Sequence, residues 1–448
     1  MPVLDPKIPL LPGGLPILGH LPALKRDRLA FLERVQALGP VVAAPLGGRT
    51  PIFVTDPEVL QTVLVDQAYD FHKSSNYAFL ERLLGKGLVT SEDTLHKKQR
   101  KLAAPSLTPA RIASYAQTMV ELADQRIGEW RDGETVDMTS ELHLLTLDIA
   151  SRTLFSTDVG PRIEALGKAF VDASRWVIGE AGSFLHWPFG WPIPRHRRMR
   201  KAMETLHRAV DAIIADRHAS KHDGGDILSA LMLARDESGE GMGHAQLRDE
   251  VITFLFAGHE TSANALVWAL FLLCKNPASW DRLVREVDDV VGDRLPGMSD
   301  LAKLPYALGV FKEALRLYPP VYLFGRTAVR DVSSGPYTFR AGQPVVANVW
   351  SLHRRSDFYE DPERFEPDRF APARERALPR HAFLPFAAGP RVCVGNHFAL
   401  LEGQLLLTRI AQRITLELAT DVPTREPLIT LRAAAPLHVK VKHRGVLD

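Results

Sequence analysis

The chain has 448 residues, and its 55 lysines and arginines nearly balance 53 aspartates and glutamates, which leaves a formal net charge of +2. With 46% hydrophobic and 24% charged residues the composition is that of an ordinary globular enzyme, and since no linker, charge block or repeat divides residues 1–448, we expect one domain. The small net charge excludes the strongly basic balance of nucleic-acid-binding proteins, so no nucleic acid is expected as a partner.

Residues 1–25 form a Pro-rich N-terminal segment that has neither the basic start nor the apolar core of a signal peptide. The longest apolar run, residues 265–274, is shorter than the ~20 residues that span a bilayer, so no transmembrane anchor is expected. The two cysteines, Cys274 and Cys393, do not form the pattern of a secreted disulfide framework. These features predict a cytoplasmic protein.

Hydrophobic periodicity predicts mostly helices along the chain. The ranges expected as helices are 28–38, a Pro-interrupted succession from about 95 to 234, then 244–275, 277–290, 306–317 and 396–413. The ranges expected as short strands are 41–45, 51–54, 326–329, 337–340, 344–347, 428–431 and 437–442. The helix at 244–275 is apolar on nearly every side, so it should run through the interior. The fold class is therefore mainly α with minor β.

The segment Phe386–Ala399, FAAGPRVCVGNHFA, places a lone cysteine in a loop rich in glycine. A helix is expected to begin three residues later at Asn396, and its N-terminal N–H groups, together with Arg391, would stabilise a thiolate at Cys393. Gly395 would let the backbone pass close to whatever the sulfur binds. The alternative is a buried free cysteine beside a helix cap.

Glu260 and Thr261 lie in the middle of the predicted interior helix, where a polar side chain needs a specific partner. For Thr261 a local alternative exists, since its hydroxyl can donate to the carbonyl of Ala257 one turn earlier. The other possibility is a catalytic role for Glu260 and Thr261, and the motifs described next are relevant to it.

The cysteine loop matches the pattern Phe386-x-x-Gly389-x-Arg391-x-Cys393-x-Gly395, and three further motifs precede it. In chain order they are Ala257-Gly258-His259-Glu260-Thr261, Glu313-x-x-Arg316 and Pro362-Glu363-Arg364-Phe365. Together they resemble the motifs of the cytochrome P-450 monooxygenases, and the resemblance covers nearly the whole chain. It implies the cytochrome P-450 fold, with a long interior helix over the haem and small β-sheets at one side, and haem b as the cofactor.

By this resemblance Cys393 would ligate the haem iron, where thiolate donation favours O–O cleavage. Glu260 and Thr261 would be the catalytic pair that delivers protons, at a kink in the helix that opens a groove for O2. The residues expected to contact the cofactor are Cys393, Arg391, Phe386, Gly395, Arg100, His96, Arg326, Ala257 and Gly258.

Within that set the resemblance implies that Arg391, Arg100 and Arg326 bind the haem propionates and that Phe386 packs against the porphyrin. His96 stands where the family often has tryptophan. One propionate contact is therefore open, although histidine can also donate a hydrogen bond.

The same resemblance gives Glu313, Arg316 and Arg364 a structural role. They would form a buried network that supports the cysteine loop.

A substrate pocket is implied above the haem, drawing on the loop 72–89, the interior helix, the strand start at 321–324 and the turn at 430–432. The side chains expected to line it are Phe254, Val321, Leu323, Phe324 and Leu431. Their apolar character suits a hydrophobic small molecule that is held by shape. The aromatic and basic segment 184–200 would be a lid, a surface that touches a membrane, or an ordinary connection between helices.

The sequence thus predicts a haem-thiolate monooxygenase that inserts one oxygen atom from O2 into a C–H or C=C bond of a hydrophobic small molecule. Because the sequence contains no flavin domain and no cysteine set for an iron–sulfur cluster, electrons from NAD(P)H would come through a ferredoxin or flavodoxin-type donor with its reductase. Lys97, Lys98 and Lys101 would guide this acidic donor, and we expect a monomer. The alternatives are a peroxide-driven peroxygenase and a non-catalytic haem-binding sensor or ligand carrier, both disfavoured by the Glu260–Thr261 pair.

Overall fold

The computed structural model describes residues 3–183, 187–220, 224–235 and 239–445. Helices dominate these ranges, as the hydrophobic periodicity predicts. Of the segment 184–200, residues 184–186 lie outside the described ranges, and the remainder includes the start of a long helix at Pro194. Among the described helices, none is both long and apolar enough to cross a bilayer.

The α-helices are numbered here in chain order. In the first half of the chain they are α1 (Leu21–Arg26), α2 (Arg28–Gln36), α3 (Pro57–Gln61), α4 (Tyr77–Leu84), α5 (Asp93–Ala103), α6 (Pro109–Gly128), α7 (Met138–Phe155), α8 (Ile163–Ala181) and α9 (Pro194–Ser220). In the second half they are α10 (Ile227–Leu233), α11 (His244–Lys275), α12 (Pro277–Val290), α13 (Pro305–Leu317), α14 (Val349–Leu352), α15 (Pro372–Ala377) and α16 (Asn396–Arg413).

The strands are short and form four small sheets. They are β1 (Val41–Ala43), β2 (Ile52–Val54), β3 (Phe71–Lys73), β4 (Thr135–Asp137), β5 (Phe324–Ala328), β6 (Val332–Ser334), β7 (Tyr337–Phe339), β8 (Pro344–Ala347), β9 (Ile414–Leu418), β10 (Arg425–Pro427), β11 (Leu431–Ala433) and β12 (His438–His443). The five-stranded sheet has the order β1-β2-β8-β5-β3, with β2 and β8 parallel and the other pairs antiparallel. A three-stranded sheet has the order β4-β12-β9, and β6–β7 and β10–β11 form two-stranded sheets.

Helix α11 runs through the interior of the helical region. From Glu250 to Leu273 its side chains are buried except at Ala257, Gly258 and Thr261. A helix that is apolar on all sides must be covered on all sides, and α7, α9, α13 and α16 pack around it. The three accessible positions share one face, because residues three and four apart lie one above the other on a helix.

The cysteine loop lies against a π-helical turn at Thr62–Asp66. At the point of closest approach Gly389 has a φ of +70°, and a Cβ there would lie 1.9 Å from the Leu64 carbonyl oxygen. Only glycine fits both the left-handed backbone and the lack of space. The loop then leads directly into α16.

The network predicted around Glu313 is present, but its third arginine differs from the prediction. Glu313 and Arg316 are completely buried and joined by two hydrogen bonds of 2.7 Å. The Arg369 side chain, also buried, brings its Nε to 3.4 Å from the Glu313 carboxylate. Arg364 is exposed and contributes its backbone carbonyl to Arg316. The prediction of Arg364 was wrong, because a Pro-acid-Arg-Phe motif occurs twice in this region and the second copy faces inward.

Most of the predicted elements are present. The bounds of α11, α12 and α16 agree with the prediction. Two predictions were wrong: the expected loop 72–89 contains α4, and in place of the strand expected at 428–431 the structure has β11 at Leu431–Ala433. The Pro-rich N-terminal segment contains most of α1. Strands β3, β4, β6, β9 and β10 were not predicted. All except β9, which has five residues, are three residues long, and so short a run shows no alternation.

We expect Glu313→Gln to lower the free energy of unfolding by about 3–5 kcal/mol, because it leaves two buried guanidinium groups without their carboxylate. Chemical denaturation followed by circular dichroism would measure the loss. The matched control is Glu204→Gln, which removes the carboxylate of an exposed helical ion pair with Arg208 and should cost under about 1 kcal/mol. Equal losses in the two variants would contradict the structural role of the network.

Candidate active site

The cysteine loop holds Cys393 by its backbone and leaves its sulfur accessible. The Cys393 N–H donates to the Phe386 carbonyl at 2.9 Å, and a short helical turn at Gly389–Arg391 precedes it. The Cys393 side chain is accessible, yet the protein atoms around it are dense enough for desolvation to raise the pKa of the thiol. This combination is expected for a thiol that borders an internal space rather than the outer surface.

Two groups oppose that rise in the Cys393 pKa. They are the N–H of Gly395, which hydrogen-bonds to the sulfur, and the positive charge of Arg100. The predicted stabilisation of the thiolate by the helix start is therefore present, but the net direction is upward because burial outweighs it. Arg391, which the sequence analysis also expected to act on the sulfur, is directed elsewhere.

The predicted arginines converge from three elements. From α5, Arg100 donates to the Val392 carbonyl at 2.7 Å. Arg391 donates to the Phe71 carbonyl at 2.6 Å and forms an ion pair with Glu92. Arg326, on β5, is buried and donates to the Gly325 carbonyl at 3.0 Å.

The pKa of His96 is affected by the positive charges of this cluster. The side chain is buried on α5, and its pKa is lowered to about 4, first by desolvation and then by the positive charges of Lys73, Arg391, Arg100 and Arg326. His96 is therefore neutral at physiological pH and can donate or accept one hydrogen bond without adding charge.

Lys73 is a member of the cluster that the sequence analysis missed. It ends β3, and its ammonium group donates to the carbonyls of Leu88, at 3.3 Å, and Ser91. Burial lowers its pKa to about 7, opposed mainly by the carboxylate of Glu92. A single lysine in a predicted loop carried no signal, because only the pairing of β3 with β5 brings it beside Arg326.

The accessible face of α11 carries the predicted residues Ala257, Gly258 and Thr261. The Thr261 hydroxyl donates to the Ala257 carbonyl at 2.8 Å, so the local hydrogen bond considered from the sequence is present. The helix is continuous through this stretch, and the expected kink stays a prediction. These small side chains leave room along a strip about one turn long.

Glu260, beside Thr261, faces away from that strip into protein. Its side chain is 3% exposed, and burial raises its pKa to about 7. One carboxylate oxygen, Oε1, accepts a hydrogen bond of 2.6 Å from Thr430, and Oε2 has no partner among the described residues.

Glu402, on α16, is a second buried acid near this helix. Its pKa is raised to about 8 by burial, against a smaller opposing effect of the Ser262 hydroxyl. It was not identified from the sequence, although an acidic residue inside the apolar run FALLEGQLLL was a usable signal.

The predicted substrate residues are divided among three hydrophobic clusters. Phe254 belongs to the large helical core, Phe324 and Val321 to the cluster under the five-stranded sheet, and Leu431 and Leu323 to a third. Leu431 is fully buried. The structure thus does not bring these five side chains together in one cluster, and their role as a pocket remains a prediction.

A cleft of about 520 Å³ lies along α9, away from all of these residues. Its lining is mostly polar and charged, and includes Arg200, His207 and Asp211 beside Phe189. None of the predicted substrate or cofactor residues contributes to it.

Comparison with known proteins identifies the family to which the chain belongs. The family model described as Cytochrome P450 matches residues 9–441. A cyclooctatin synthase of Streptomyces melanosporofaciens is 37% identical over 410 residues, covering 90% of this chain and 88% of the relative. A cyclooctat-9-en-7-ol 5-monooxygenase of the same organism is 34% identical over 411 residues, with the same coverage. A pentalenene oxygenase of Streptomyces avermitilis is 33% identical over 420 residues, covering 92% of each chain.

The family model spans nearly the whole chain, and two of these relatives are named for oxygenation. Cytochromes P450 bind haem b. The predicted mainly α fold, the haem cofactor and the monooxygenase class are confirmed. This chain belongs to the cytochrome P450 family and is a haem-thiolate monooxygenase of hydrophobic molecules.

Proposed function

We propose that Cys393 ligates the haem iron and that the enzyme inserts one atom of O2 into a C–H or C=C bond of a hydrocarbon-like substrate. The observation that carries this proposal is the exposed Cys393 side chain in desolvating surroundings, with the positive charge of Arg100 acting on its sulfur. Haem bound through a thiolate supplies the activation of O2, because thiolate donation favours O–O cleavage.

The charges around Cys393 fit the two carboxylates of haem b. Four cations act on His96, whereas the carboxylates that oppose them at Lys73 are Glu92 and Glu250. Burial brings the pKa of both Glu250 and Lys73 to about 7, so each carries less than a full charge near neutral pH, while the three arginines stay charged. The surplus of positive charge in a desolvated space would be offset by propionates.

Each predicted cofactor residue then has a proposed task. The propionates would be held by Arg100, Arg326, Arg391 and Lys73, with His96 as a neutral donor. Phe386 would pack beside the sulfur, Gly395 would keep the backbone close to it, and Ala257 and Gly258 would border the other side of the haem. The accessible strip on α11 supports that last assignment.

Glu260 and Thr261 are proposed to supply protons. A carboxyl group with a pKa near 7 is protonated often enough to donate and ionised often enough to be recharged. The Thr261 hydroxyl is anchored on the Ala257 carbonyl, which fixes its position on the accessible face.

For the substrate we propose a largely hydrocarbon skeleton with at most a few hydroxyl groups. Pentalenene oxygenase is named for an alkene, and cyclooctat-9-en-7-ol 5-monooxygenase for an alkene alcohol. The predicted pocket residues Phe254, Val321, Leu323, Phe324 and Leu431 have no charged group, which suits such a molecule.

Electrons are proposed to come through a separate ferredoxin or flavodoxin-type donor with its reductase. Lys97, Lys98 and Lys101 are exposed on α5, the helix whose Arg100 contacts the cysteine loop. The Lys97 ammonium lies 4.5 Å from the centre of the Tyr69 ring, which is itself well exposed. An acidic donor would meet these charges near Val392.

We also propose a monomer that works in the cytoplasm. Cys274 and Cys393 are both free thiols, as a reducing compartment allows.

Cys393→Ser should abolish the red-shifted spectrum of the ferrous carbonyl complex that is typical of thiolate ligation. Absorption difference spectroscopy of the purified protein measures it. Cys274→Ser is the control and should keep the spectrum, because Cys274 is a packing residue whose pKa burial raises to about 11. A normal carbonyl spectrum in the Cys393 variant would show that another residue ligates the iron.

Thr261→Ala should fold and bind haem normally, yet release a larger share of the consumed electrons as peroxide, because the hydroxyl that guides protons is gone. The ratio of peroxide and product to NAD(P)H consumed measures this change. Thr261→Ser keeps the hydroxyl and should stay close to the wild type. Unchanged coupling in the alanine variant would remove Thr261 from proton delivery.

Lys97→Glu combined with Lys101→Glu should slow association with the electron donor and weaken its dependence on salt, because rim charges act mainly on association rates over a Debye length of ~10 Å at 0.1 M. Stopped-flow reduction at several ionic strengths measures both effects. The control is Lys440→Glu with Lys442→Glu, the same change of charge on exposed positions of β12. Equal rates and salt slopes in the two double variants would place the docking site elsewhere.

A further inference from the structure

A chain of three buried polar side chains links α11 to the turn between β10 and β11. The Asn264 amide donates to the Thr430 hydroxyl oxygen at 3.2 Å, and the Thr430 hydroxyl donates to Glu260 Oε1 at 2.6 Å. Asn264, Thr430 and Glu260 are each at most 3% exposed. Among the described residues, no charged side chain is hydrogen-bonded to the Glu260 carboxyl group.

We propose that Asn264 and Thr430 are positioning residues that fix the Glu260 carboxyl group so that its Oε2 carries and releases the proton used in turnover. This proposal rests on the role of Glu260 in the proposed function. It adds which oxygen delivers the proton and which residues determine that choice.

The direction of the hydrogen bonds determines which oxygen of Glu260 holds the proton. An amide NH2 can only donate, so the Thr430 oxygen accepts from Asn264 and its single hydrogen is left for Glu260. Glu260 Oε1 is therefore an acceptor in both charge states of the acid. When Glu260 is protonated, the proton lies on Oε2.

Oε2 has the properties of a delivering atom. It is buried and has no hydrogen-bond partner among the described residues, so a proton there is not held by a competing acceptor. Releasing one proton from Oε2 leaves a carboxylate that Thr430 continues to stabilise, and the carboxylate recovers one proton from solvent. The charged group that acts on it is Arg432, whose Nε lies 3.4 Å from the carboxylate of Glu426.

The residue after Thr430, Leu431, is held in place by two hydrogen bonds. Leu431 donates its N–H to the Pro320 carbonyl at 2.8 Å, and its own carbonyl accepts from the Trp268 indole at 3.3 Å. Since Leu431 is one of the predicted substrate residues, the position of the proton donor depends on the same turn that is expected to contact the substrate.

Thr430→Val keeps the shape of the side chain and removes the hydroxyl. Thr430 stabilises the ionised form of Glu260 by donating to it, so its loss should raise the pKa of Glu260 by about one unit. Glu260 must be protonated to deliver, so coupling is present below its pKa and is lost as pH rises through it. In the variant this loss should move to higher pH, and peroxide release at fixed pH should change several-fold because the carboxyl group is no longer held.

Two measurements test this. Infrared difference spectroscopy as a function of pH follows the carbonyl stretch of the protonated Glu260 side chain without turnover, with Glu260→Gln to assign the band. Peroxide and product yields across the same pH range give the coupling. Thr430→Ser should restore both profiles, and the control Thr153→Val, which removes a buried hydroxyl bonded within α7, should leave both unchanged.

A shift of the infrared pKa to lower pH, or no shift, would overturn the proposal, because Thr430 would then not donate to the carboxylate. If Thr430→Val does not fold, Asn264→Ser releases the Thr430 hydroxyl and should shift the pKa in the same direction by less. Normal coupling in Glu260→Gln would instead remove the proton role of Glu260 from the proposed function. Uncoupling in Glu260→Gln with a wild-type profile in Thr430→Val would reject only the positioning role.

Discussion

The accumulation of positive charge beside Cys393 is the constraint on which the rest of the site depends. Arg100, Arg391 and Lys73 each donate to backbone carbonyls, which hold the guanidinium and ammonium groups in place, and Glu92 forms an ion pair with Arg391. The same hydrogen bonds join α5, β3 and the cysteine loop. They therefore both fix the position of the loop and place the positive charges beside it. A carboxylate-bearing cofactor completes such an arrangement, because buried like charges are otherwise costly.

Helix α11 places polar side chains inside an apolar interior. Burial alone would make each polar group costly, and neighbouring elements remove most of that cost: Thr430 hydrogen-bonds Glu260, and Thr146 of α7 donates to the His259 carbonyl at 3.1 Å. The His259 ring bonds its own helix at the Leu255 carbonyl. The helix remains continuous through Thr261, and its polar side chains carry the proposed chemistry.

The sequence was most informative where a pattern is local. The apolar periodicity of α11 and the spacing around Cys393 need no knowledge of distant parts of the chain. The structure agrees with the interior position of α11 and with the start of α16 at Asn396, while the role of Cys393 stays a prediction. Lys73 and Glu402 could not be recognised in this way, because their significance comes from burial by elements far away in sequence. Arg364 was predicted in place of Arg369 for the same reason: two similar motifs differ in which one faces Glu313. Four of the five strands that were not predicted have three residues, which is too short a run to show alternation.

The close approach of Gly389 to the Leu64 carbonyl has a genetic consequence. Every single-nucleotide missense change of a glycine codon introduces a Cβ atom, and at this position a Cβ would lie 1.9 Å from that oxygen. No amino acid reachable in one mutational step can therefore occupy the site without displacing the π-helical turn or the loop that carries the cysteine. The mutational tolerance of the loop is thus limited by a carbonyl group more than 300 residues earlier in the chain, and variation in the loop requires accompanying change at Thr62–Asp66.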